Sequence, residues 1–178
     1  VVLNNYNGKP GATVNALQGL KDRLGEGIEV LHEAGCDVVS GKGRVATKID
    51  KEAGFSGGES VKLEATAAGD FIAFSVPVET AGRYEMALRF KKFPSRGMYQ
   101  LSLDGTKVGT PFNMADAKED YDGLIRFGKS DLTAGPHEFR FTVVGKDPGS
   151  DSFAGHFDQL QLTGDSDRSV ELEGVKAT

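Results

Sequence analysis

The chain has 178 residues, 38% of them hydrophobic and 26% charged, with a formal net charge of −5. That length suits one good domain with a further fragment, the acidity excludes a nucleic-acid backbone as partner, and no apolar run approaches the length of a membrane-spanning helix. Cys36 is the single cysteine, which excludes an internal disulfide and a cysteine-ligated zinc cluster.

The first forty-odd positions read as strand, helix, strand. Residues 1–3 form a short apolar strand, and Pro10 and Gly11 then keep the following loop out of helix. Thr13 can cap a helix on which Val14, Leu17, Leu20 and Leu24 recur at helical spacing, and Gly25 or Gly27 stops it. A second strand follows at 28–32. Two strands and a helix are half of a parallel unit and cannot cover both faces of a sheet. The stretch NNYNGKPGATVNALQGLKDRLG, with VLHEAGCDV after it, resembles a segment of the C-terminal α/β domain of family 3 glycoside hydrolases. The resemblance implies that residues 1–44 are a partial α/β segment of a longer polypeptide. The catalytic aspartate of that family belongs to a preceding barrel domain, so no catalytic residue carries over to this chain.

From about Val45 the period changes to two. Ile72, Phe74, Val76 and Val78 share one face, as do Tyr84, Met86, Leu88 and Phe90, then Tyr99, Leu101 and Leu103, then His137, Phe139, Phe141 and Val143. Turn signals such as ETAGR, LDGTK, TAGPH and GKDPGS separate these runs. With VKLEATA, KVGTPFN, GLIRFG and GHFDQLQLTG added, about eight short strands predict a mainly β fold, an antiparallel jelly-roll β-sandwich over 45–164. Residues 165–178 are expected to be a linker or the start of a further segment.

The order GDFIAFSVPVETAGRYEMALRF, YQLSLDGTKVG, LTAGPHEFRFTVVG, FDQLQL resembles carbohydrate-binding modules of the family 6 and 35 type. The resemblance implies a non-catalytic module attached to a glycoside hydrolase or another glycan-processing protein. It also implies glycan and neighbouring domains as partners, and an extracellular or periplasmic (secreted) location. Two further readings stay open: a structural spacer that binds no sugar, and a loop contribution to a hydrolase active site.

No serine sits in a nucleophile elbow, no glycine loop suits phosphate, and His32, His137 and His156 fall on different elements. The run ADAKEDYDG gathers Asp116, Glu119, Asp120 and Asp122, which suits a solvated loop, a hydrogen-bonding loop or a cation-binding one. Sugars are held by aromatic faces with carboxylates and amides nearby, and this chain has no Trp to offer. The loop candidates are Phe93, Tyr121 and Phe153, with Arg96, Asp120, Asp122, Asp147 and Asp151 as polar neighbours. The module resemblance further implies a structural calcium with Asp158 as its closing ligand. Asp158 shares parity with Leu160 and Leu162 and is expected to point inward, on a cation or on hydrogen-bond donors. The opening glutamate pair is not evident before Phe55, and Glu171 and Glu173 match it better from the far end of the chain.

Overall fold

The computed structural model describes residues 37–41, 47–164 and 168–172, the first and last of these stretches by their backbone pairing, together with the burial of Leu172. The helix and strands expected within 1–32, with Cys36, lie outside the described residues. Among the described residues there is no α-helix. The strands are β1 (Asp37–Gly41), β2 (Thr47–Lys51), β3 (Glu59–Leu63), β4 (Phe71–Val78), β5 (Gly82–Lys92), β6 (Gly97–Leu103), β7 (Thr106–Asn113), β8 (Asp120–Leu132), β9 (Gly135–Lys146), β10 (Gly155–Thr163) and β11 (Arg168–Glu171).

Among the described residues all pairings are antiparallel, in two sheets ordered β1-β4-β9-β6-β7 and β2-β3-β10-β5-β8, with β11 beside β10. The expected jelly-roll sandwich is therefore the fold. Its alternating faces meet as the period of two requires: Ile72, Phe74, Val76, Met86, Leu88, Tyr99, Leu101, Phe139 and Phe141 have no exposed surface. Aromatic rings knit the two sheets. Phe157 on β10 sits 5.1 Å from Phe141, 5.2 Å from Tyr99 and 6.0 Å from Phe74, all three on the opposite sheet. Offset and edge-on contacts of this kind add to the area that each ring buries.

The β6–β7 turn shows how local sequence fixes register. Asp104 and Gly105 both take positive φ, 48° and 80°, the geometry of a type I′ hairpin, and Leu103 then pairs with Thr106.

β1, β2 and β11 carry no apolar alternation to betray them. Ile49 on β2, the edge of its sheet, is left 39% exposed. β1 lies in the span expected for the opening segment, yet it pairs with β4. β11 lies in the closing segment and pairs with β10. β8 is also far longer than GLIRFG, because it follows the whole length of β5 from Gly82 to Lys92.

Candidate functional site

At one end of the sandwich the loops 93–96, 114–119 and 147–154 are tied together through backbone groups. Phe93 N–H donates to the Met114 carbonyl at 3.2 Å, Met114 N–H to Gly97 at 3.1 Å, and Gly97 N–H to Ala154 at 2.9 Å. The approach is so close that a Cβ on Gly97 would stand 2.6 Å from the Phe153 carbonyl oxygen. Fully buried Tyr99 donates its hydroxyl to that same oxygen at 2.6 Å, and burial pushes the phenol far above its ordinary range. Beside these ties lies a hollow of about 440 Å³ lined by Pro94, Ala115, Asp116, Ala117, Asp147 and Gly149. Asp147 is oriented by Asn113 Nδ2 at 3.2 Å and Gly149 N–H at 3.0 Å. Asp116 is 46% exposed, with Lys92 Nζ at 3.8 Å. Two carboxylates among small apolar walls make a surface of acceptors, suited to hydroxyl donors.

A second constellation surrounds Lys91, which has the opposite parity to Phe90 and is buried. Its ammonium lies 2.6 Å from Glu52, 2.6 Å from Glu119 and 3.1 Å from the Tyr121 hydroxyl, which in turn donates to Glu52. The rings of Tyr121, Phe55 and Phe93 stand 4.5, 5.6 and 5.7 Å from it. Burial alone would lower the Lys91 pKa, but bonds to Glu119, Glu52 and Tyr121 outweigh it and raise the pKa well above the usual lysine range. Lys91 in return holds both Glu52 and Glu119 below the ordinary carboxyl range. The segment 52–58 crosses this cluster as a strap. Phe55 on it is edge-on to Tyr121 at 5.1 Å and stacked on His156 at 5.8 Å. His156 donates Nε2–H to Asp50 at 2.7 Å, while burial, with Arg96 and Lys91 close by, pushes its pKa down to about 4. The ring is neutral near pH 7.

Phe93, Arg96 and Tyr121 thus come together around Lys91, the Arg96 guanidinium lying 4.9 Å over the Phe93 ring. Arg96 is buried, its Nη1 donates to the Ser95 carbonyl at 2.7 Å, and its Nε has no partner. Tyr121 is closely covered: a Cβ on Gly54 would stand 2.4 Å from its ring. Asp120 pairs with Lys92 at 3.5 Å and accepts the Asp122 N–H, and Asp122 pairs with Arg89 at 2.9 Å. Phe153 belongs to the 147–154 loop, with Lys146 Nζ 5.3 Å over its ring, and Asp151 is exposed on that loop. The members with no expectation attached are Glu52, Phe55, Lys91 and Asp50. Lys91 could have been found from its charged side chain on the outward parity of a core strand. The other three lie on or next to β2, which sends no periodic signal.

The paired carboxylates Glu52 and Glu119 share one ammonium and are both held ionised. Glycoside hydrolysis needs one carboxyl kept protonated as acid, and this pair has none.

Asp158 is fully buried, but not on the core face. The register of β10 on β5 shifts between Phe157 and Gln159, and the Asp158 carboxylate accepts the Ser56 N–H at 3.1 and 3.2 Å with Arg89 Nη1 at 3.3 Å. Arg89 has the opposite parity to Leu88 and Phe90, so the expected inward direction is corrected: the strap, not the core, buries this carboxylate. Among the described residues no group of three or more His, Cys, Asp or Glu is placed to hold a metal. The side chains of Glu171 and Glu173 lie outside the described residues.

No protein-family model matches the chain, and no curated protein is detectably similar to it. Solved structures are. Over 68% of its length it superposes on a segment of a Paenibacillus xanthan lyase, with a TM-score of 0.65 and 27% identity. It spans 12% of that enzyme. A family 35 carbohydrate-binding module from an environmental isolate matches over 75% of this chain and 97% of its own, at a TM-score of 0.52 and 16% identity. A family 35 module from Paenibacillus barcinonensis matches over 71% and 92%, at 0.52 and 15%. What the chain shares with these structures is a β-sandwich fold. More narrowly, the fold is that of the family 35 carbohydrate-binding modules.

Proposed function

We propose that the chain is a non-catalytic carbohydrate-binding module of a glycan-processing protein, and that it takes a glycan at the hollow between the loops 93–96, 114–119 and 147–154. The observation that carries this reading is the pairing of Asp116 and Asp147 across small apolar walls, at the end of a sandwich whose fold is that of known binding modules. The carboxylates accept sugar hydroxyls. Phe93 and Phe153, on two of the same loops, supply apolar ring faces for the C–H side of a pyranose. Arg96 orders Phe93 by lying on it. Tyr121, Asp120 and Asp122 act one step back, holding β8 and the strap in place. Without a tryptophan platform, binding is to single chains and not to crystalline polysaccharide.

The likeness to a lyase segment and the family 3 hydrolase resemblance of the opening residues support an enzyme as parent, working outside the cell or in the periplasm, where polysaccharide is met. Among the described residues no helix is long and apolar enough to cross a membrane. The spacer reading draws on the cover that Gly54 and Lys91 give the Tyr121 ring, which leaves that ring little surface for a ligand.

Affinity electrophoresis of the full chain through gels of soluble polysaccharides, xanthan among them, tests the proposal. The expected result is retardation on at least one glycan, reduced about tenfold in affinity by Asp116→Ala. Unretarded migration on every glycan would leave the spacer reading in possession.

A further inference from the structure

We propose that β8 is an interface for a second copy of this chain: two β8 strands pair antiparallel about a twofold axis at Leu124 and join two sandwiches through one continuous sheet.

Among the described residues β7 and β8 are the end strands of their sheets, and they lie on the same side of the sandwich. Leu103, Val108, Ile125 and Phe127 pack on the core there yet stay partly exposed, which leaves an apolar seam along that side. An end strand offers a row of main-chain donors and acceptors to another strand. β7 is poorly suited to take one, since Pro111 has no N–H to give and Gly109 turns to a φ of 65°. β8 is better suited. It pairs regularly with β5 from Gly123 to Arg126, and the backbone at Gly128 is exposed. Leu124, opposite Arg89 on the outer face, is 45% exposed.

Charge selects a second copy as the occupant. Asp122 and Arg126 stand two residues before and two after Leu124, so they share its face, and they are 86% and 62% exposed. An antiparallel pair centred on Leu124 sets that leucine against its own twin. It also sets Asp122 opposite Arg126 of the second copy, twice over, as a twofold interface requires. Each contact extends an ion pair already present, Arg89 with Asp122 at 2.9 Å and Arg126 with Glu85 at 3.8 Å. The signs then alternate across the joined sheet. Pairs centred on Asp122 or on Arg126 would instead set like charges opposite each other, which disfavours those registers.

Sedimentation velocity of the full chain from about 10 µM to 1 mM tests this with no glycan present. The mean mass is expected to rise toward that of a dimer over this range, as suits a small contact. Leu124→Lys sets two ammonium groups face to face and should keep the chain monomeric. Val144→Lys, at an equally exposed position on the other sheet, should leave association unchanged. Cross-linking in oxidised glutathione, on a Cys36→Ser background, reads the register. Leu124→Cys should give a disulfide dimer, because facing β carbons stand about 5 Å apart. Arg126→Cys should not, because its twin lies four residues along the strand, roughly 13 Å away. A single mass at every concentration would overturn the proposal. Association that survives Leu124→Lys, or a cross-link at 126 in place of 124, would do the same.

Discussion

His137 Nδ1 lies 2.6 Å from Asp104 Oδ2, while its Nε2 lies 2.9 Å from the Thr133 carbonyl. Both ring nitrogens thus face acceptors, and the ring that satisfies both is the imidazolium. Asp104 in turn accepts the Glu138 N–H at 2.8 Å, so this one side chain ties the β6–β7 turn to the start of β9.

Burial works against the charged ring, but Asp104 and the Thr133 carbonyl outweigh it and raise the His137 pKa above its usual value. A pKa raised in the folded state adds stability that is complete below the unfolded value, near 6.5, and disappears as pH rises through the folded value. Melting temperature should fall by about 2–4 °C from mildly acidic to mildly alkaline buffer, a loss on the order of 1 kcal/mol. His137→Gln should melt low throughout and remove that slope. A wild-type curve flat across the interval would refute the imidazolium.

Among the described residues Lys91 is the one cation within salt-bridge distance of Glu52 and Glu119. Lys91→Met should cost about 1–3 kcal/mol in urea unfolding, because it takes the cation from between two partly exposed carboxylates, one on the strap and one on the 114–119 loop. Glu52 and Glu119 have depressed pKa values, so the stability they bring is present above the unfolded carboxyl range and lost as pH falls through the folded values. In the variant that acid-side loss should shrink, and a second urea series near pH 4 checks it.

Gly54→Ala places a methyl 2.4 Å from the Tyr121 ring where there is no room for one. The strap must lift or the ring must turn, at about 1–3 kcal/mol. Loss of the tyrosine near-ultraviolet circular dichroism signal should accompany the lower melting point. A variant that melts like the wild type would show that the strap is not seated on Tyr121.

Tyr99→Phe removes one hydroxyl and leaves the Phe153 carbonyl without that donor, at a cost of about 1–2 kcal/mol. Hydrogen exchange should quicken in residues 150–154 and leave β4 and β9 unchanged. Uniform quickening would instead mean that Tyr99 supports the whole sandwich.

Much of the sandwich was legible because its strands bury one face only. Ile72, Phe74, Val76 and Val78 announce β4 without help, and Asp104-Gly105 announces the hairpin that follows β6. β2 announces nothing: its sequence, TKIDK, serves an edge where one side chain in five is apolar and even that one is partly exposed. The polar network hung on β2 was hidden for the same reason. Glu52 and Asp50 matter through Lys91 and His156, their partners on β5 and β10, and no local pattern encodes a partnership across so much chain. Asp158 was recognisable as a buried acid from its parity with Leu160 and Leu162, but a bulge reversed its direction, and its trace is the odd three-residue step between the core residues Phe157 and Leu160.

β10 lies at the middle of its sheet, between β5 on one side and β3 and β11 on the other, and it brings in Phe157. A growing chain therefore holds an unfinished sheet, with the slot between β3 and β5 vacant, until residue 163 has left the ribosome. Acquisition of the fold is accordingly late and all at once, on the slow timescale of structures assembled from distant segments. Any break in translation before Gly155 would release a sticky half-product instead of a smaller working unit.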